Sequence, residues 1–198
     1  DETMGVDATD LFNYLTGYST KQDYSKLLIA PVTLRARLEK LIERETAHAA
    51  GGRRAHIILK ANALVDPAVI RLLYRASQAG VKVELYIRGI CCLRPGWPGI
   101  SENITVTSTV GRFLEHSRVF YFLNDGDEEV YLGSADLMMR NLNRRVEVVF
   151  PVEAPAHRRY LRDVALEAYR QDNFKLRQMT PEGTYVQVAA GEGEALTS

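Results

Sequence analysis

The chain has 198 residues, 46% of them hydrophobic and 25% charged, with 25 basic side chains balanced by 25 acidic ones. That length and balance describe one ordinary globular domain with room for an extra arm, and they exclude collagen-like, mucin-like and wholly disordered chains. With no net charge, the totals give no support to a protein that coats nucleic acid or lies on a membrane, so a polyanionic partner requires a local basic patch.

The N-terminus, Asp1-Glu2-Thr3-Met4, has neither the basic nor the apolar region of a signal peptide. Opening on Asp, with its first Met at position 4, it reads as part of a longer polypeptide. Residues 1–26 are expected to form an arm that includes a short helix over residues 10–16, capped by Asp10 and ended by Gly17. Leu27 to Pro31 reads as a short strand. From Thr33 the spacing of Leu34, Leu38, Leu41 and Ile42 predicts a helix that stops at Gly51-Gly52, with His48 in its last turn as a structural residue. Ile57 to Leu59 reads as a buried strand, Asp66-Pro67 opens a helix through Ala79, and Gly80 leads into an alternating strand over Val81 to Ile87. This is a β-α-β unit, with parallel strands and a right-handed crossover. Ligands of such sheets gather beyond the C-terminal strand ends, here Lys60-Ala61-Asn62 and Arg88-Gly89-Ile90.

Cys91 and Cys92 open a turn-rich loop to Gly99; adjacent cysteines are poorly placed for a disulfide and lack the second pair of a zinc site, so loop packing and a reducing compartment are expected. Strands follow at residues 104–109, 116–123 and 130–132, the last two joined as a hairpin by Asn124-Asp125-Gly126-Asp127. A further strand spans Arg145 to Val152, with Val146, Val148 and Phe150 on one face and Glu147 and Val149 on the other. Ala154-Pro155 opens a helix to about Arg170, Thr184 to Val188 reads as a last strand, and residues 189–198 as a frayed tail. No apolar stretch approaches the roughly 20 residues of a membrane-spanning helix.

The chemistry concentrates on His116-Ser117-Arg118, at the start of one hairpin strand, and Gly133-Ser134-Ala135-Asp136, where the other ends. An imidazole beside a guanidinium, facing a turn whose N–H groups point outward, suits a phosphoryl group. His is a nucleophile or proton donor, and Arg grips two phosphate oxygens at once. Between Arg88 and Arg145 there are seven arginines (88, 94, 112, 118, 140, 144, 145) and no lysine. Of the seven acids in that window, Asp125, Asp127, Glu128 and Glu129 cluster at the far end of the hairpin, so a basic mouth is expected around His116. Asp136 is a candidate to orient Arg140 or His116, or to cap a helix. His56 and His157 read as structural or exposed.

The His-x-Arg and Gly-Ser pair resembles the half-site of phospholipase-D-like proteins, in which two halves supply two histidines. Arg118 stands where that pattern has Lys, Leu123 where it has Asp, and Leu137 where it has Asn. Four longer blocks, residues 15–19, 87–96, 110–118 and 133–147, closely resemble the C-terminal domain of bacterial polyphosphate kinase, the family that makes long-chain polyphosphate. The resemblance runs from about residue 5 to 185. It implies an α/β fold: a phospholipase-D-like mixed β-sheet flanked by helices, in one domain. It also implies reversible transfer of the terminal phosphate of ATP to polyphosphate, with Mg²⁺, through a phosphohistidine on the domain upstream, which also supplies most Mg²⁺ ligands.

Carried over by position, His116 corresponds to the second histidine near the nucleotide phosphates, Arg88 to a nucleotide-phosphate contact and Arg145 to a further phosphate-binding arginine. Arg118 and Ser134 complete the expected phosphate-binding set. The resemblance further implies a cytoplasmic enzyme that is a homo-oligomer at full length, with ATP, ADP and polyphosphate as partners, no nucleic acid and no transmembrane segment. Two other readings compete: a phospholipase-D-like phosphodiesterase acting as a homodimer, and a non-catalytic polyanion-binding module. The apolar residues at positions 123 and 137 argue against the first, and the His116–Arg118 pair against the second.

Overall fold

The computed structural model describes residues 1–20, 22–109, 116–171 and 176–188. Its centre is the expected β-α-β unit. Strand β2 (His56–Ala61) pairs in parallel with β3 (Lys82–Ile87), Ile57 opposite Val83 and Ala61 opposite Ile87, across helix α3 (Pro67–Gln78). Asp66 caps α3 by accepting from the N–H groups of Ala68 and Val69, with Pro67 in the first turn. Burial alone would raise the pKa of that carboxyl, but Arg35 and the two amides outweigh it and hold it below the usual range.

The other strands extend this pair into one mixed sheet. Beyond β3 come β4 (Ile104–Thr109), β8 (Leu176–Met179) and β9 (Tyr185–Gln187); on the other side β2 is followed by β5 (Arg118–Phe122), β6 (Glu129–Gly133), β7 (Glu147–Pro151) and β1 (Leu28–Ala30). β4 is parallel to β3, whereas β5 runs antiparallel to β2, and β5 and β6 form the expected hairpin. The turn between them places Asn124 and Asp125 at φ 48° and 56°, left-handed conformations that Asn and Asp tolerate.

Period-2 alternation gives the sheet two apolar faces. Ile57, Leu59, Val83, Leu85, Phe120 and Phe122 pack against α3 and α2 (Leu34–Ala50). Ile58, Tyr86, Val119, Tyr121 and Val130 face the opposite way, under the C-terminal helix. That helix matches the expected span but is not uniform: α5 (Pro155–Tyr160) widens to a π turn at Leu161–Leu166 before α6 (Glu167–Gln171). Along β7 Glu147 and Val149 are buried as expected, and on the other face Val146, just before the strand, and Phe150 are exposed, while Val148 is half-buried against Leu27 and Ile29.

Three elements depart from the sequence reading. Helix α1 covers Glu2–Leu15 rather than 10–16, and its cap is Asp1, whose carboxylate accepts from Met4 N, not Asp10. Its buried Asp7 receives the N–H groups of Ser25, Lys26 and Leu27, which fastens the arm to the entry of β1. Strand β8 was not anticipated, because its buried residues, Leu176 and Met179, are three apart rather than alternating. A short helix α4 (Met139–Asn143) follows the Gly-Ser turn. Arg112 and the tail 189–198 lie outside the described residues. Among those described, no helix is long and apolar enough to cross a membrane.

Glu84, 6% exposed on the α6 side of the sheet, ties that helix down. It accepts from both Nε and Nη2 of Arg170 and from Tyr86 OH, and it contacts His56 Nε2 and Lys82 Nζ. Burial raises its pKa, but His56, Arg170 and Lys82 together outweigh burial and leave it far below the usual carboxylate range. A depressed folded-state pKa contributes stability that is complete above the unfolded value near 4.3 and is lost as pH falls below it. Glu84→Gln is expected to lower unfolding free energy at pH 7 by about 1–3 kcal/mol, less than a sealed ion pair because Lys82 and Arg170 reach solvent. Urea titrations at pH 7 and pH 3.5 should show a smaller acid loss in the variant than in the parent.

Candidate phosphoryl-transfer site

Register brings the sequence-predicted residues to one end of the sheet. Lys60 is opposite Val119, so the residues just before β5, His116 and Ser117, lie beside those just after β2. Arg118 is opposite Gly133, and Gly133 opposite Val149, which adds Ser134 and the start of β7 to the same end. Arg88 leaves the C-terminal end of β3 in parallel register with Asn62. The mouth therefore forms where the parallel strands β2 and β3 end, the usual ligand edge of such sheets.

Asp136 organises it. The Asp136 and Arg118 side chains are each only 10% exposed and form a two-pronged pair: Arg118 Nε donates to Oδ1 at 3.1 Å and Nη2 to Oδ2 at 2.9 Å. The same Oδ1 accepts from Asn62 N at 2.7 Å. Arg118 then turns its outer edge to His116, with Nη1 2.9 Å from Nδ1 and 2.8 Å from the His116 carbonyl, and Nη2 3.1 Å from Nε2. A neutral imidazole has one acceptor nitrogen, so one of the two ring contacts is a hydrogen bond at a time and the other nitrogen carries the proton. From Asn62 the chain of contacts continues to Arg88, whose Nη1 approaches Asn62 Oδ1 at 3.5 Å, while Gly89 N donates to Asn62 O. Asp136 thus orients Arg118 rather than Arg140, and it does not cap α4, whose first flanking residue is Met138.

Ser134 and Arg145 surround a second carboxylate. Glu147, 7% exposed, receives Ser134 Oγ on Oε2 and Asn141 Nδ2 on Oε1, with Arg145 Nη1 4.0 Å away. Ser134 also accepts from Val148 N. Its hydroxyl proton is therefore spent inside the domain, whereas Arg145, with Arg140 and Arg144 beside it, has an exposed side chain. Of the residues nearest the mouth, Asn62 and Lys60 had been placed at the ligand edge without individual roles. The clue to Asp136 was an acid set between Ala135 and Leu137, both wholly buried.

Of the acids at the other end of the hairpin, Asp125, Glu128 and Glu129 meet basic residues there. Arg44 pairs with Glu129, Arg162 with Glu128, and Arg54 N and Nη2 donate to Asp125. Arg94 Nη1 donates to the Glu182 carbonyl. His48 and His56 contact Asn124 and Glu84 and are structural, and His157 is exposed. Burial pushes the Cys91 thiol up to about 11, which fits loop packing. Among the described residues no three His, Cys, Asp or Glu side chains are grouped to hold a metal ion. Asp136 and Glu147, the carboxylates at the mouth among the described residues, are already committed to protein donors, so these residues do not fit a Mg²⁺ site.

A mixed sheet between helices, with a His-x-Arg strand start facing a Gly-Ser strand end, defines a phospholipase-D-like domain. A phospholipase D family member, Nuc from Salmonella typhimurium, superimposes with a TM-score of 0.55 at 15% identity, over 82% of this chain and 97% of that one, a likeness of fold. The family profile described as polyphosphate kinase C-terminal domain 2 matches residues 27–198. The polyphosphate kinase of Thermosynechococcus vestitus is 55% identical over 98% of this chain, and that of Pseudomonas aeruginosa 51% over 93%. The crystal structure of polyphosphate kinase from Porphyromonas gingivalis superimposes over 96% of the chain with a TM-score of 0.91 at 40% identity. The chain belongs to the polyphosphate kinase family and corresponds to its C-terminal domain. It spans about a quarter of the length of those relatives, 26% of the Thermosynechococcus protein and 29% of the Porphyromonas chain.

The Gly of the Gly-Ser turn has a packing cause. A Cβ built on Gly133 would collide with Val148 O and stand 2.8 Å from Val149 Cα, contacts with backbone that cannot swing aside. Gly133→Ala is therefore expected to cost about 1–3 kcal/mol by forcing β6 and β7 apart, measured by chemical unfolding. Gly5→Ala, where a Cβ meets nothing within 4 Å in helix α1, is expected to cost nothing.

Proposed function

We propose that this domain supplies the nucleotide- and phosphate-binding half of a polyphosphate kinase site, in an enzyme that moves the γ-phosphoryl group of ATP reversibly onto a polyphosphate chain. Support comes above all from the linked set His116–Arg118–Asp136–Asn62–Arg88, which aims an imidazole and two guanidinium groups at one end of the sheet. In the first step the bond between the γ-phosphorus and the oxygen bridging to ADP breaks while a nitrogen–phosphorus bond forms on a histidine of an upstream domain. In the second, a terminal oxygen of polyphosphate displaces that histidine. His116 serves the leaving oxygen of ADP, and Arg118, held rigid by Asp136, stands against the developing charge without reorganising.

Arg88 and Arg145 hold phosphate oxygens on either side, and Ser134 acts by fixing Glu147 and the turn. Mg²⁺ accompanies ATP on ligands from outside this domain. The whole enzyme works in the cytoplasm, where ATP is available, and joins further copies of itself at full length. A phosphodiesterase has less support: Leu137, where the half-site pattern has Asn, is wholly buried and hydrogen-bonded through its backbone to Ala63, Val65 and Asp66.

Two expectations follow from this reading. His116→Ala in the full-length enzyme should cut polyphosphate synthesis about 100-fold or more, the usual scale of a lost acid–base group. The fragment alone, incubated with ATP and Mg²⁺, should form no acid-labile phosphohistidine and no polymer. Stoichiometric label on His116 in the fragment, or turnover of a phosphodiester by a dimer of it, would overturn the assignment. Separately, Arg88→Ala in the full-length enzyme should weaken ATP binding about 10- to 100-fold, as loss of a charge-assisted contact does. The parent's affinity should fall as salt screens the exposed arginines; calorimetric titrations at two ionic strengths check both.

A further inference from the structure

Lys60 is a lysine with 7% exposure on the central strand β2, in a place where burial demands partners. Its Nζ donates to two oxygens of one residue, Ser117 O and Ser117 Oγ, each at 2.9 Å, and stands 4.8 Å from the centroid of the Tyr169 ring. Around it lies the second apolar face of the sheet, with Ile58, Tyr86 and Val119. Ser117 is the residue between His116 and Arg118. Strand β5 begins only at Arg118, so Ser117 lies before the first ladder pair with β6. The segment that carries the imidazole therefore leaves the sheet without ladder support, and Lys60 reaches it from the face served by α6. The Ser117 carbonyl belongs to the peptide leading into Arg118, so holding both oxygens fixes that peptide and the side chain of the residue that joins His116 to Arg118.

We propose that Lys60 is a positioning residue for phosphoryl transfer, acting through Ser117 to hold the His116–Arg118 pair in its working geometry. The inference rests on the role given to His116 above. A displacement of about 1 Å in such a group costs on the order of 100-fold in rate. In full-length enzyme, Lys60→Met, which keeps the side-chain length and removes the donor, is expected to lower kcat for polyphosphate synthesis about 10- to 100-fold with KM for ATP within about twofold. Ser117→Ala, which removes the Oγ acceptor, should lower kcat several-fold.

The deciding measurement is a double-mutant cycle with His116→Ala: a residue that acts through His116 adds little loss once His116 is gone. If Lys60→Met fails to fold, judged by circular dichroism and gel filtration, the Ser117→Ala cycle decides in its place. Wild-type kcat in Lys60→Met, an equal fold-loss in both backgrounds, or a raised KM at unchanged kcat would overturn the proposal. Unchanged synthesis in His116→Ala alone would instead overturn the role of His116 itself, and the two failures are thereby told apart.

Discussion

One nearly buried carboxylate holds the mouth of this domain together. Asp136 neutralises Arg118, seizes the backbone at the end of β2 through Asn62 N, and so makes the ends of β2, β5 and β6 a single unit. An arginine in this place without an anion would face a desolvation cost that a phosphate visiting transiently cannot offset in the empty site. With Asp136 present, the guanidinium is held in one orientation and still offers its outer edge toward His116. The arrangement exchanges some net positive charge for rigidity, and the role proposed for the Arg118–His116 pair depends on that rigidity.

The sheet separates two tasks between its faces. Toward α2 and α3 it presents an almost wholly apolar surface, on which the stability of the β-α-β unit rests. Toward the C-terminal helix it carries the smaller apolar cluster interrupted by Glu84 and Lys60. These buried charged side chains do different work: Glu84 clamps α6 through Arg170, and Lys60 reaches past Tyr169 to Ser117. The C-terminal helix is thus linked mechanically to the residues that lead into β5 and carry the histidine.

Much of this was legible in the residues, for reasons that are local. Apolar runs bounded by Asp66-Pro67 and Gly80 specify strand, helix and strand without outside help, and the observed register follows from them. The His116 and Gly133-Ser134 ends of the hairpin were legible because the Asn124–Asp127 turn marks where the strands fold back, which brings their far ends together. Helix α1 was read too short because the apolar stripe of its first turns is thin: Met4 and Ala8 are only half-buried there, and the fully buried side chain is an acid, Asp7. The partner of Asp136 was misread for a related cause. Its spacing to Arg140 suggested a helical pair, whereas the contact made spans 18 residues to Arg118 and exists only once the sheet has closed. Lys60 looked like the polar end of an apolar run, and nothing in its neighbours along the chain reveals that Tyr169 and Ser117 meet there.

The π turn at Leu161–Leu166 acts on the helix beyond it as a change of phase. A wide turn takes in one residue more than an α turn, so everything C-terminal to it is rotated by about 100° relative to a continuous α-helix. That rotation is what lets adjacent residues, Tyr169 and Arg170, meet Lys60 and Glu84 while Leu161 and Leu166 still face the sheet. An uninterrupted helix of the same sequence would keep one of those alignments and forfeit the other. The irregular turn is therefore the element that lets one short helix serve both the packing of the sheet and the footing of its histidine.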